Sequence, residues 1–249
     1  EAAITGLREL QASVPSVLAE TVTEGDRALA AGEAQAALRS FAIATAIDSE
    51  DPVLAQKLAR AESLAEVLTL VGDAEQAERE ADLVLALEKL QAAVTLDPEW
   101  SPATLGLERV RLAIRERNFD DAMSAGFSAL AQKKYDEARN AFVEASGIIP
   151  ASTESEDGLL QIELALRMDK IEAMKTEAEA YRRDGEWKSA VDAYQKILEV
   201  DDALVFARQG LDAASERLAL DTELQKYIDN PTLLQEDKAL GEARGVLVK

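Results

Sequence analysis

The chain has 249 residues and a formal net charge of −21, with 27 Lys and Arg against 48 Asp and Glu. Such an acidic surface repels nucleic acid and anionic lipid, because both of these partners bind basic faces. The chain has neither cysteine nor histidine, which excludes disulfides, Ser–His and Cys–His nucleophile pairs and the usual zinc ligand sets. We therefore expect no metal and no cofactor.

The composition favours a chain built from helices. Hydrophobic residues make up 47% of it and aromatic residues 4%, and it contains only 12 Gly and 6 Pro. No run of the sequence is rich in Val, Ile and Thr and bounded by turns, as strands usually are. No run approaches the ~20 apolar residues that span a bilayer either. We predict an all-α fold with no membrane-inserted segment in this window.

A pattern of small and large residues recurs along the chain. Its copies cover about 18–52, 67–100, 119–152 and 171–202, followed by a partial copy at 220–249. Each complete copy has an alanine at one marked position and a large residue four positions later. The alanines are Ala37, Ala86, Ala138 and Ala190, and the large residues are Phe41, Leu90, Phe142 and Tyr194. In the partial copy, Asn230-Pro231 is predicted to end the first helix early.

The third copy shows the pattern most completely. With Phe119 counted as position 1, small residues fall at positions 7, 8, 11, 20 and 27, aromatic residues at 17 and 24, and proline at 32. This copy resembles the tetratricopeptide repeat, a helix–turn–helix unit of about 34 residues. Two helices approach closely only where their facing residues are small. Gly126 and Ala138 are therefore predicted to mark the helix crossing, with Tyr135 and Phe142 beside it.

The repeat is longer than the family unit. The marked alanines are 49, 52 and 52 residues apart, and a second marker at Lys57, Gly106, Gly158 and Gly210 keeps the same three steps. Each period therefore contains an extra segment, which the pattern predicts to be helical and continuous with the helix that follows. We predict one long and one short helix per period. The resemblance implies that these units stack over 1–249 as a single elongated, right-handed solenoid.

Local signals predict where helices begin and end. Pro102 after Ser101 indicates a helix capped by Ser101, with proline in its first turn. The stretch Ala151–Asp157 is predicted to be the most loop-like part of the chain, because it holds three acids and three Ser or Thr residues. Pro15 is expected to kink the first long helix or to restart it.

Carboxylates are the remaining candidates for chemistry, since they do acid–base work or bind hard cations. Glu75, Glu78 and Asp82 share one face of a predicted helix. The ordinary charged outer face of a helix explains the same residues without a ligand, and we adopt that interpretation. No catalytic or metal-binding residue is predicted.

The resemblance implies a ligand surface on the concave face made by the first helices of the units. Carried over to this sequence, the third and fourth units place three apolar residues beside three cations on that face. The apolar residues are Met123, Phe127 and Leu130, and the cations are Lys175, Arg182 and Arg183. Such a surface suits another protein or peptide, for example an acidic amphipathic segment.

Packing alone explains the same residues in two ways. The extra segment of the next unit covers Phe127 and Leu130, or the cations only balance neighbouring acids. Glu179 lies four residues after Lys175, within pairing reach on a helix, and Asp184 follows Arg183.

Three functional hypotheses fit these observations. We rank a non-enzymatic scaffold for protein–protein interaction first, and a structural spacer between an upstream anchor and downstream domains second. The third is a carboxylate-dependent enzyme acting on glycans, for which two acids suffice. The chain begins at Glu1 without methionine and stops at Lys249 within a helical pattern, so we expect a piece of a longer protein. A bacterial cell-envelope protein fits this expectation, and a cytoplasmic one fits it nearly as well.

Overall fold

The computed structural model describes the backbone of residues 2–247 and the side chains of residues 11–246. Over this range the chain is 88% helical and contains no strand, which confirms the all-α prediction. The helices in chain order are α1 (Ala2–Ala31), α2 (Ala34–Ile47), α3 (Pro52–Arg79), α4 (Leu83–Leu96), α5 (Ser101–Ala131), α6 (Tyr135–Ile148), α7 (Thr153–Arg183), α8 (Trp187–Val200), α9 (Val205–Asp229) and α10 (Asp237–Leu247), with a short 3₁₀ helix, Pro231–Gln235, before α10.

Long and short helices alternate. The odd-numbered helices α1, α3, α5 and α7 have 30, 28, 31 and 31 residues, and each is followed by a helix of 14 residues. Helices α5, α7 and α9 run without interruption through Gly106, Gly158 and Gly210, respectively. The extra segment of each period is therefore helical and continuous with the helix after it, as predicted.

Contacts between residues divide the chain into two compact units, each containing more than one repeat copy, with the boundary inside α5 between Ala122 and Met123. The names first unit and second unit refer to these two parts of the chain and not to repeat copies. In the first unit α1 packs on α2, α2 on α3, and α3 on α4. In the second unit α6 packs on α7, α7 on α8, and α8 on α9. Sequential packing of this kind is what a repeat of long and short helices requires, while the single array over 1–249 stays a prediction.

The same turn follows each of the four long helices from α1 to α7. A residue with positive φ stands just after the helix, at Gly32 (75°), Ala81 (61°), Lys133 (60°) and Gly185 (77°). The next residue donates its backbone N–H to a carbonyl five residues earlier, at 2.8–3.0 Å, which is the Schellman arrangement. This left-handed residue reverses the chain so that the short helix returns alongside the long one. Its positions are 49, 52 and 52 residues apart, which adds a third marker of the period.

A large side chain of each short helix presses on a glycine of a long helix. Phe41 lies against Gly25, Leu90 against Gly106, and Tyr194 against Gly210. Because a glycine has no Cβ, the ring or methyl groups occupy the space that a side chain would take. The predicted crossing of small residues is therefore present at these joints.

The joint around Phe142 has a glycine on both sides. An added Cβ would lie 2.5 Å from the ring at Gly126 on α5, and 2.7 Å from it at Gly158 on α7. Ala138 and Phe142 are both completely buried, as the predicted crossing requires. The first unit has Lys57 where this glycine would stand, and its side chain passes the Phe41 ring, with Nζ 5.8 Å from the ring centroid.

The structure differs from the predicted helix ends at two places and agrees with them at a third. Ser101 is the first residue of α5 and not its cap, because the Trp100 carbonyl already accepts the N–H groups of Ala103 and Thr104. The expected loop at Ala151–Asp157 shrinks to a tight turn, since α7 begins at Thr153. The break at Asn230-Pro231 is confirmed, because α9 ends at Asp229.

A serine hydroxyl starts α7, and a proline is accommodated within α1. The Ser152 hydroxyl accepts the N–H of Ser155 at 3.3 Å, so the polar residues that looked loop-like start a helix instead. Pro15 lies inside α1, and the helix does not restart there. Loss of one backbone N–H does not end a helix whose other turns remain hydrogen-bonded.

Candidate functional site

The three predicted apolar residues lie on the last turns of α5 and differ in exposure. Met123 is buried, Leu130 is half-buried, and Phe127 is 43% exposed. The Phe127 ring meets the buried Phe142 ring edge to face, with centroids 5.0 Å apart and planes at 73°. Phe127 is therefore partly used for packing against its own unit, and only its outer part is available to a partner.

The predicted cations on α7 also differ from one another. Lys175 has a side chain that is 33% exposed, and its Nζ lies 3.6 Å from a Glu172 carboxylate oxygen. Glu179, the acid within pairing reach of Lys175 along the helix, forms no ion pair with it among the described side chains; the Lys175 Nζ instead lies 5.5 Å from the centroid of the Phe206 ring on α9. Arg183 pairs with Asp184 at 3.2 Å, as predicted. Arg182 and Arg183 are both exposed.

The structure does not join the apolar group to the cations. Among the described side chains, no hydrogen bond, ion pair or ring contact links Met123, Phe127 or Leu130 to a cation of α7. None of the described contacts links the apolar group to the cations, and one continuous patch stays a prediction.

Contacts with the next long helix occupy part of the predicted ligand face. In the first unit, Lys57 of α3 forms an ion pair with Asp26 of α1 at 2.6 Å. In the second unit, Lys175 of α7 lies over Phe206 of α9. The resemblance implies ligand contacts at positions 5 and 9 of a copy, which include Asp26 in the first copy and Lys175 in the fourth. The extra helical segment therefore takes over some of the groups that a ligand would use.

The acidic face around Glu78 is engaged in packing. Its carboxylate accepts two hydrogen bonds from Arg109, at 3.0 Å from Nε and 2.7 Å from Nη2. The hydrogen bond to Glu78 raises the pKa of Arg109. Asp82 accepts the N–H of Leu85 at 3.0 Å and caps α4. Among the residues that the structure describes, no group of three or more acids could hold a metal ion.

A small polar groove between α7 and α8 was not found by sequence reasoning. Its volume is about 190 Å³, and its walls include Glu177, Tyr181, Asp192 and Lys196. The Tyr181 hydroxyl donates to the Glu177 carboxylate at 3.1 Å, and this hydrogen bond raises the pKa of Tyr181. The sequence indicated only that Asp192 and Lys196, four residues apart, share one face of a helix.

Two carboxylates, the buried Asp97 and the partly exposed Asp169, join helices through hydrogen bonds. Asp97, which is 1% exposed, accepts hydrogen bonds from Arg60 Nε and Nη2 at 3.0–3.2 Å. Asp169 of α7 accepts from Lys133 Nζ at 2.7 Å and from the Tyr135 hydroxyl at 2.6 Å. The hydrogen bond from Lys133, and then that from Tyr135, lower the pKa of Asp169. These contacts join residues more than 30 positions apart, so no local pattern indicated them.

No protein-family model matches the sequence, and no curated protein is similar enough to match it. Within the described part of the chain, none of the helices combines the length and the apolar composition that a membrane-crossing helix needs.

Proposed function

We propose that this chain is a tetratricopeptide-like scaffold that binds another protein and catalyses no reaction. The observation that supports it is the regular joint between helices. A left-handed turn residue and a large residue facing a small one recur at steps of 49, 52 and 52. Units built this way bury their apolar faces only against neighbours, and such stacks form extended binding surfaces. The proposed assembly is a right-handed solenoid.

The proposed partner surface lies in the second unit and uses Phe127, Arg182 and Arg183. These three are the predicted site residues that remain exposed. Met123 is buried and Leu130 half-buried, and Lys175 contributes less because it lies over Phe206. A partner segment with acidic and apolar side chains fits a surface that offers both exposed guanidinium groups and an exposed aromatic ring.

Binding of a labelled acidic amphipathic peptide tests this proposal. Fluorescence anisotropy should show binding to the whole chain, and the Arg182→Glu/Arg183→Glu variant should weaken it at least tenfold, or about 1.4 kcal/mol. A Lys188→Glu/Lys238→Glu variant changes the net charge equally at exposed sites and should leave binding within about twofold. Equal weakening by both variants would contradict a local site.

The spacer hypothesis has one specific observation in its favour. Asp26 and Lys175, at positions implied for ligands, already contact the next long helix. A spacer would bind neither the acidic peptide nor a protein partner at any concentration tested. That result would replace the scaffold proposal.

The glycan-acting enzyme remains the third hypothesis. It requires two acids in a concave pocket, one of them with a raised pKa. Among the described carboxyl groups, Glu154 and Asp169 have a shifted pKa, and both shifts are downward. Hydrogen bonds lower the pKa, from Ser152 to Glu154 and from Lys133 to Asp169. A glycan-cleaving activity that is lost in Glu78→Gln would overturn the scaffold proposal.

A further inference from the structure

The first half of α7 leaves an apolar line of side chains uncovered. Leu160, Leu164 and Met168 are spaced four residues apart and are 52%, 51% and 71% exposed. On a helix with about 100° per residue they occupy an arc of roughly 80°. The buried residues Gly158 and Ile162, which belong to the packed side of this half, point roughly the opposite way. We call Leu160, Leu164 and Met168 the α7 ridge.

The repeat itself does not need apolar residues at these positions. Fifty-two residues earlier, α5 has Glu108, Leu112 and Glu116 at the three positions of the ridge. Fifty-two residues later, α9 has Asp212, Glu216 and Leu220 there. Each position thus carries an acid in at least one other helix, and of these three helices only α7 has apolar residues at all three positions. The ridge is a property of this unit and not of the fold, and clustered exposed apolar residues of this kind mark interaction sites.

The charges around the ridge indicate what covers it. Asp157 lies one turn before Leu160 within the arc of the ridge, and Glu156 and Glu163 lie within roughly 60° of its edge. The nearest cation, Arg167, is engaged elsewhere, with Nη2 at 2.9 Å from the Val200 carbonyl and 3.1 Å from the Asp201 carboxylate. The ridge is therefore bordered by free acids at its first two turns.

We infer that the α7 ridge is a docking site for a basic amphipathic helix of a partner protein. The apolar face of such a helix covers Leu160, Leu164 and Met168, and its Lys or Arg side chains pair with Glu156, Asp157 and Glu163. A second copy of this chain is a poor occupant, because its net charge of −21 repels another acidic surface. The inference rests on the proposed scaffold function only in assigning the chain a protein partner. It adds a different helix face and a partner of opposite charge.

Fluorescence anisotropy with a synthetic peptide tests the inference on the whole chain. The probe is a labelled peptide of about 15 residues, four helical turns, with leucines along one face and Lys or Arg elsewhere. Two comparison peptides are used. One has the same composition in scrambled order, and the other keeps the order but has Glu in place of the basic residues. We expect only the basic amphipathic peptide to lose affinity when the ridge is altered, whereas the acidic peptide binds through Arg182 and Arg183 under the proposed function and should be unaffected.

Variants locate the binding. Leu160→Gln/Leu164→Gln should weaken binding at least tenfold, or about 1.4 kcal/mol, without unfolding the chain, because both side chains are half exposed. The control Val84→Gln/Leu105→Gln changes side chains that are 74% and 68% exposed on other helices and should leave binding within about twofold. Circular dichroism of each variant checks that the helices are retained.

A further variant tests the charges. Glu156→Gln/Asp157→Asn should also weaken binding of the basic peptide and should reduce its dependence on salt, because exposed charges act over about 10 Å at moderate ionic strength.

Four results would overturn the inference. The ridge variant could bind the basic peptide as tightly as the wild type, or the scrambled peptide could bind equally well. Sedimentation equilibrium could instead show self-association that Leu160→Gln/Leu164→Gln abolishes, which would make a second copy the occupant. If the acidic peptide binds through Arg182 and Arg183 while the basic peptide does not bind, the ridge inference fails and the scaffold proposal stands.

Discussion

Replacement of Gly158 by alanine tests the close approach of α7 to α6. Phe142 is completely buried between Gly126 and Gly158, and an added Cβ at Gly158 would lie 2.7 Å from two ring carbons. Ordinary van der Waals contact begins at 3.4 Å, so the ring or the helix has to move by several tenths of an ångström. The ring has little room to retreat, because it also lies close to Gly126 on α5, where an added Cβ would be 2.5 Å from the nearest ring carbon.

The expected magnitude follows from two opposing effects. An extra methyl group in a well-packed core costs about 1–3 kcal/mol, while replacing glycine by alanine within a helix gains about 0.5–1 kcal/mol. We expect Gly158→Ala to lower the free energy of unfolding by up to about 2.5 kcal/mol. Gly72→Ala is the matched control. Gly72 is exposed within α3 and has no atom within 4 Å of an added Cβ, so this change should stabilise the chain by about 0.5–1 kcal/mol.

Urea unfolding followed by circular dichroism measures both variants. The combination of Gly158→Ala with Phe142→Leu should cost less than the sum of the single changes, because the smaller side chain leaves room for the new methyl group. If Gly158→Ala stabilises the chain as Gly72→Ala does, the close approach of α7 to the Phe142 ring is wrong.

Three more predictions concern single residues. Asp97→Asn removes the charge that accepts hydrogen bonds from Arg60, and should lower the free energy of unfolding in urea by about 1–3 kcal/mol. Gly185→Ala should lower it by about 1–2 kcal/mol, because Gly185 has a φ of 77° and only backbone strain changes where no atom lies within 4 Å of an added Cβ. Asp169 has a pKa lowered mainly by Lys133, so its contribution to stability is present above the unfolded pKa of about 3.9 and is lost as pH falls through the lower folded value. The stability difference between wild type and Asp169→Asn should therefore be constant above about pH 5 and shrink below about pH 4.

Each of these predictions has its own control. Glu108→Gln breaks an exposed ion pair with Arg111 and should cost less than about 1 kcal/mol; an equal cost for Asp97→Asn would contradict the role of its burial. Ala81→Gly relieves a non-glycine residue at φ 61° and should not destabilise the chain as Gly185→Ala does. A stability difference for Asp169→Asn that persists unchanged to pH 2.5 would contradict the lowered pKa, which an NMR titration of this carboxyl group measures directly.

The helix alternation and the close joints could be predicted from the sequence, because they depend on spacing along one chain. The marked alanines keep one period, and so do the large residues Phe41, Leu90, Phe142 and Tyr194. Small residues at a fixed period allow close packing wherever they fall. The turn residues Ala81 and Lys133 were not recognised, since neither is the glycine that a left-handed conformation usually selects.

The details of the candidate site depend on contacts between distant residues. Lys175 could pair with Glu179 by helix spacing, yet it lies over Phe206, which is 31 positions away. Met123 reads as a ligand position from the resemblance but is buried. Residues at Ala151–Asp157 look like a loop by composition, and the same hydroxyls instead start α7. Each local signal was compatible with two structures; tertiary packing decides between them for Lys175 and Met123, and a local helix cap decides for Ala151–Asp157.

Small-angle X-ray scattering of the chain tests the stacking of the repeat units most directly. A compact globule of 249 residues has a radius of gyration of about 18 Å. A solenoid in which units pack only against their neighbours predicts a value well above this, with a pair-distance distribution that falls off in a long tail. A radius of gyration close to about 18 Å with a symmetric distribution would contradict the proposed array.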